Sequence, residues 1–100
     1  MQDVSIIIPT FHFADVAKQV LLSALQQTLS PKEIIIIDSS EDHSIRDLVN
    51  ALESEIPINY QKVDQSFPGE ARNLGVTFAN YEWLAFLDSK TIPKIDWLES

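Results

Sequence analysis

Two runs of β-branched residues restrict the folds open to this chain more than anything else in it: Val4-Ser5-Ile6-Ile7-Ile8 and Glu33-Ile34-Ile35-Ile36-Ile37-Asp38. Neither alternates with polar residues. Each therefore reads as a strand buried on both faces, the kind found in parallel sheets covered by helices. Pro9-Thr10 closes the first run, and Asp38 ends the second level with it. Between them Val16, Val20, Leu21, Ala24, Leu25 and Leu29 recur at helical spacing, with Asp15 placed to cap the helix and Ser30-Pro31 to stop it. Strand, crossover helix and strand make one βαβ unit.

The alternation continues. Ile45, Leu48, Val49, Leu52 and Ile56 mark one face of a second helix, with Ser44 or Asp42 as its cap and Pro57 as its stop. Ile58 to Val63 alternates as a half-exposed edge strand does. Ser66-Phe67-Pro68-Gly69 opens a third helix carrying Ala71, Leu74, Val76 and Phe78. Trp83-Leu84-Ala85-Phe86-Leu87 is then expected as a buried central strand that delivers Asp88-Ser89-Lys90-Thr91 at its end. If the backbone stays extended there, Asp88 and Lys90 share one side. A last helix is expected from Pro93 to Ser100, with Trp97 in the core. The fold class is α/β: a Rossmann-like three-layer α/β/α domain with a mainly parallel sheet of about four strands, spanning residues 1–100.

With 45% hydrophobic and 22% charged residues, 100 residues can bury about 60–65% of their unfolded surface in one modest core. No stretch approaches the roughly 20 apolar residues of a spanning helix, and a cytoplasmic location is expected. Seven basic residues against fifteen acidic ones give a net charge of -8, which repels a polyphosphate backbone and argues against nucleic acid as a partner. A bound anion needs a local positive patch. The absence of cysteine excludes disulfides and thiolate-bound metal.

Right-handed crossovers bring Thr10, Phe11, His12, Asp38, Ser39 and the 88–91 segment to one edge of the sheet, beyond the strand ends where open α/β sheets bind ligands. The helix that begins near Pro68 starts at the same edge, and its free N–H groups favour anions. Arg72, read as lying in that first turn, opposes the helix dipole. An arginine so placed points to an anionic partner, because its planar fork suits a diphosphate; the competing reading is a solvated arginine paired with Glu70. His12 reads as a structural hydrogen-bonder or as a base or sugar contact. Glu41-Asp42-His43 reads as a solvated capping loop rather than a metal cluster.

Taken in order, Val4-Ser5-Ile6-Ile7-Ile8-Pro9-Thr10-Phe11, Glu33 to Ser40, Pro68-Gly69-Glu70-Ala71-Arg72-Asn73-Leu74-Gly75, and Phe86-Leu87-Asp88 up to Trp97-Leu98 resemble family 2 glycosyltransferases of the GT-A type. The resemblance covers the whole chain. It implies the nucleotide-sugar-binding half of an inverting transferase, of the kind that serves cell-envelope polysaccharide synthesis. Pro9, Thr10, Phe11, Asp38 and Ser39 would then line the base and ribose, Arg72 would lie near the nucleotide, and an Asp-x-Asp position at Asp88 would hold Mn²⁺ or Mg²⁺ on the diphosphate. It also implies an acceptor, glycan or lipid-linked, and a general base, both beyond Ser100. Peripheral membrane association of the full-length protein and self-association of this part, with a sheet edge left open, are the further expectations.

Three positions depart from the pattern: Ser39 for a second acid, His12 after Phe11, and Lys90 for the second acid of Asp-x-Asp. The last matters most. Magnesium usually takes one or two carboxylates besides phosphate oxygens, and a cation in place of one adds repulsion on the order of 4 kcal/mol at 4 Å and an effective dielectric of 20. Lys90 is therefore read as replacing part of the ion's charge against the diphosphate; the competing reading is a lysine that pairs with Asp88 or points into water, in a domain that has lost its activity. Two other classes compete. A receiver domain has the same small α/β frame but needs an acidic pair where Pro9-Thr10-Phe11-His12 stands, and a phosphate-loop nucleotidase needs more glycine than Gly69 and Gly75 provide. A non-catalytic nucleotide-sugar-binding or interaction module on the same frame is the third alternative.

Overall fold

In chain order the elements are β1 (Val4–Thr10), α1 (Ala14–Leu25), β2 (Glu33–Asp38), α2 (Ser44–Ala51), β3 (Ile58–Lys62), α3 (Pro68–Phe78) and β4 (Trp83–Phe86). The structure is a computed structural model that describes residues 3–12, 14–64, 68–88, 92–94 and 97–98. All four strands are parallel, in the order β3-β2-β1-β4. The two isoleucine runs lie side by side in the middle, as their lack of alternation requires: Ile6 faces Ile34 and Ile8 faces Ile36 across the ladder.

Strand periodicity divides the core in two. Ile6, Ile8, Ile34 and Ile36 point to one face, where Ala17, Val20, Leu21 and Ala24 of α1 and Ile45 of α2 cover them. Ile7, Ile35 and Ile37 point to the other, under Ala71 of α3. The result is the expected three-layer sandwich. Gly75 lets α3 come down close, since a Cβ at that position would run into the Ile7 side chain.

Two buried polar residues tie distant segments together. Glu33, at the bottom of β2, accepts from the Ser5 hydroxyl at 2.6 Å and from the backbone and side-chain amides of Asn80 at 2.7 and 2.9 Å, so it fixes the turn between α3 and β4. Burial, the largest single influence, pushes the Glu33 carboxyl up, but these three hydrogen bonds outweigh it and leave the group below its ordinary range. Gln27, just past α1, donates to Ser23 O and Lys94 O at 3.1 and 2.7 Å and accepts from Leu98 N–H at 2.8 Å.

Several expectations are corrected. The run Trp83 to Phe86 is an edge strand, not a central one: Trp83 is 51% exposed, and Leu84 and Phe86 are exposed as well. An apolar run reports that a segment needs cover on both sides, and no described residue of this chain supplies the second side. β1 runs through Pro9 instead of ending before it. Leu87 N–H still bonds Ile7 O at 3.0 Å, but the next rung towards β4 would need an N–H from residue 9, and Pro9 has none. Pairing with β2 continues on the other side to Thr10↔Asp38.

Both early helices are shorter than their apolar patterns, ending at Leu25 and Ala51, although Leu52 and Ile56 still pack on the core. Asp15 sits inside the first turn of α1 rather than capping it, and Leu74 and Val76 of α3 are exposed, because Ala71 and Gly75 take the buried stripe. At the C-terminal end Trp97 and Leu98 form a turn that packs partly buried on the core, with Trp97 N–H bonded to Lys94 O at 3.0 Å. Pro93 and Lys94, where the last helix is expected to begin, belong to no regular element, and residues 95, 96, 99 and 100 lie outside the described residues.

Candidate functional site

The register sets the site. Thr10 pairs with Asp38, and Asp38 with Lys62, so the ends of β1, β2 and β3 are flush, and Thr10, Asp38 and Lys62 share one face of the sheet. Asp88 follows β4 at the same edge and is exposed. Loops from three strands therefore leave at one place, as the crossover reading expects.

Asp38 sits at the centre of that edge and is 0% exposed. One carboxylate oxygen accepts from the Thr10 hydroxyl and the Ser40 N–H, both at 3.0 Å; the other accepts from the Tyr60 hydroxyl at 2.5 Å and has the Lys62 ammonium at 3.8 Å. A buried carboxylate is tolerable only with this many partners. It acts on its surroundings in turn: burial first, and then the hydrogen bond and charge of Asp38, push the Tyr60 phenol well above its ordinary range. Asp38 thus organises Thr10, Ser40, Tyr60 and Lys62 from beneath.

The surface above it is built by two loops. After β1, Phe11 is 38% exposed and meets His12 edge to face, with ring centroids 4.3 Å apart. His12 has a left-handed backbone, φ 58°, uncommon for a residue other than glycine. Its N–H donates to the Ser40 hydroxyl at 2.6 Å, and its Nδ1 lies 3.9 Å from an Asp42 carboxylate oxygen. After β2, Ser39 bonds Thr10 O through its N–H at 3.0 Å and its hydroxyl at 3.2 Å. Asp42 accepts from the Ser44 hydroxyl and N–H at 2.7 and 3.2 Å, but neither residue is the cap expected for α2: the N-cap position falls on His43, with no side-chain cap bond. Those two bonds, with smaller help from the charges of His12 and Lys62, hold the Asp42 carboxyl below its ordinary range. Lys62 donates to Ser40 O, and to Asp42 O at 2.7 Å. A cleft beside it is lined by Ser40, Glu41, Lys62, Val63 and Asp64.

Pro9, Thr10, Phe11, Asp38 and Ser39 come together as read, but not all of them face outward. Phe11 does, whereas Thr10, Asp38 and Ser39 are buried and engaged with one another. Arg72 is exposed, and as the fifth residue of α3 it opens the second turn rather than lying in the first. Lys90 lies outside the described residues, as do Ser89 and Thr91. Tyr60, Lys62 and Ser40 were not singled out from the sequence. Period two along Ile58-Asn59-Tyr60-Gln61-Lys62, placed in register with Asp38, is the signal that finds the first two.

Among the described residues no three of His, Asp and Glu gather to hold a metal, and the residue two beyond Asp88 is a lysine. Among them, too, no helix is long and apolar enough to cross a membrane.

Comparison with known proteins agrees with the fold and the order of motifs. The sequence profile of glycosyl transferase family 2 matches residues 5–100. An uncharacterized glycosyltransferase of Rickettsia felis is 34% identical over 96 residues, covering 96% of this chain and 16% of that protein. A chondroitin synthase of Escherichia coli is 33% identical over 100 residues, covering 96% of this chain and 14% of that protein. The chain thus spans less than a fifth of either relative. Residues 1–349 of S. aureus TarS, solved in complex with UDP-GlcNAc, superpose with a TM-score of 0.82 at 23% identity, covering 97% of this chain and 29% of that one, and share its fold.

Proposed function

Because this chain belongs to glycosyl transferase family 2, we propose that it binds the nucleotide-diphosphate sugar in a protein that transfers that sugar, with inversion, to a glycan or lipid-linked acceptor. The observation that carries this reading is the flush register of β1, β2 and β3, with β4 parallel beside β1, which collects Phe11, the Ser39–Asp42 loop and Asp88 at one edge of the sheet. Phe11 offers an aromatic face to the base. Pro9, Thr10, Asp38 and Ser39 shape the floor beneath base and ribose. Arg72 and Lys90 meet the diphosphate, whose charge builds up on the leaving nucleotide as the sugar departs.

In the positions where the family resemblance implies a metal, Asp88 and Lys90 give one carboxylate and one ammonium. The proposed chemistry is a fixed positive charge from Lys90, with a divalent ion bound weakly or not at all. Acceptor recognition and the general base are assigned to sequence beyond Ser100, in keeping with the small share of its relatives that this chain spans. The open β4 edge, with Trp83, Leu84 and Phe86 exposed, is covered in the full-length protein and favours self-association of this part alone. A place at the cytoplasmic face of the membrane, in making envelope polysaccharide, completes the proposal.

Calorimetric titration of UDP, GDP and dTDP and their sugars into the full-length protein tests it, with EDTA and with Mn²⁺. At least one nucleotide is expected to bind in EDTA, and Arg72→Ala to weaken it about tenfold, the loss of roughly one charge-assisted hydrogen bond. Failure of every nucleotide to bind refutes the sugar-donor reading. A strict Mn²⁺ requirement refutes the role given to Lys90.

A further inference from the structure

The loop from Ser39 to His43 is fastened from both sides by residues outside it. On the β3 side the Lys62 ammonium spans two carbonyls of the loop, Ser40 O and Asp42 O, while facing the Asp38 carboxylate. On the β1 side His12 donates its N–H to the Ser40 hydroxyl and sets its ring against Asp42. An ammonium has three N–H donors and no acceptor; Lys62 turns two of them to the two loop carbonyls and faces the Asp38 carboxylate as an ion pair at 3.8 Å. Ordering a long lysine side chain costs rotamer freedom, and holding a histidine in a left-handed backbone costs backbone strain. Both arrangements lie above Asp38 at the rim, where Lys62 also serves as counter-ion to the buried Asp38 carboxylate. Both act on the same three-residue stretch, Ser40 to Asp42, of which Ser40 and Glu41 line the cleft together with Lys62, Val63 and Asp64.

We infer that Lys62 and His12 are positioning residues that clamp the Ser39–His43 loop over the strand ends, and so set the affinity of the site for the nucleoside part of its ligand. The inference rests on the sugar-donor reading above. Neither residue is assigned contact with the ligand. They act through Ser40 and Asp42, whose carbonyls and hydroxyl are oriented by the clamp. Uniform positioning of this kind strengthens ground-state and transition-state binding alike, so its loss raises KM for the nucleotide sugar and leaves kcat unchanged. His12→Asn is the apt variant on the β1 side, because asparagine accepts a left-handed backbone and keeps the N–H to Ser40, while the ring contacts with Asp42 and Phe11 are lost.

The experiment uses the full-length protein, with the nucleoside diphosphate that binds the wild type most tightly as probe. Lys62→Met, Lys62→Arg and His12→Asn are compared by calorimetry and by hydrogen exchange of the 39–43 amides. Lys62→Met is expected to weaken binding about tenfold and to speed exchange in the loop, Lys62→Arg to recover most of both, and His12→Asn to weaken binding two- to fivefold. Unchanged affinity in Lys62→Met and His12→Asn, with a nucleotide still bound by the wild type, overturns the clamp and leaves the sugar-donor reading intact. No nucleotide bound by the wild type overturns that reading and the clamp with it. Should Lys62→Met fail to fold, His12→Asn decides: unchanged loop exchange and affinity there also overturn the clamp.

Discussion

Replacing Asp38 by asparagine changes one atom and the charge of a group with four partners. The oxygen shared by Thr10 and Ser40 can remain an oxygen, so those two bonds at 3.0 Å survive. The other oxygen becomes an NH₂ that faces the Tyr60 hydroxyl at 2.5 Å and the Lys62 ammonium at 3.8 Å. One hydrogen bond to a charged acceptor is lost, worth about 1.5–3 kcal/mol, and a partial positive charge is set against an ammonium that no longer has its counter-ion. A net loss of about 2–3 kcal/mol follows. In a domain of about 100 residues that lowers Tm by roughly 10–20 °C. Urea and thermal denaturation of Asp38→Asn, Tyr60→Phe and the double variant measure it, with a coupling between the two sites of at least about 0.5 kcal/mol. A single variant that unfolds within about 0.5 kcal/mol of the wild type would refute the view that Asp38 organises the strand ends from beneath.

Three other outcomes are expected. The Glu33 carboxyl is held below its ordinary value of 4.5, so its contribution is complete above about pH 4.5 and fades as pH falls through the folded-state value; Glu33→Gln flattens the acid limb of the stability curve. The Tyr60 phenol is held above its ordinary value of 10, so its contribution is complete below pH 10 and is lost as pH climbs through the higher folded-state value; Tyr60→Phe removes that alkaline decline, read from urea midpoints between pH 9 and 11. Gly75→Ala gains up to about 1 kcal/mol in helix propensity but drives a methyl group into the Ile7 side chain, and overpacking at about 1–3 kcal/mol wins, so the variant melts lower.

Much of this architecture is legible in the sequence. Ile6 to Ile8 and Ile34 to Ile37 announce strands with no solvent face, and Ile58-Asn59-Tyr60-Gln61-Lys62 announces a margin, because burial on two faces or on one leaves different periodicities. Trp83 to Phe86 misleads for the same reason: hydrophobicity records the cover a strand requires, not whether the described residues provide it. Asp38 was readable as a polar group at a strand tip, but not as a sealed one. Its fate depends on Tyr60 and Lys62, which reach it only through the β2–β3 pairing, and no local pattern encodes that meeting. His12 is illegible in a different way, since nothing in Phe11-His12 foretells a left-handed backbone.

Gln27 gives the fold an economy that shows only when loops are exchanged. Its amide reads Lys94 O and Leu98 N–H, while β1 reads Leu87 N–H, so the passage from Leu87 to Lys94, with Asp88 in it, departs from one fixed post and returns to another. Anyone grafting a different 88–93 segment onto this scaffold must match the distance between those posts. The residue to watch in such chimaeras stands more than sixty positions upstream, at the foot of the first crossover.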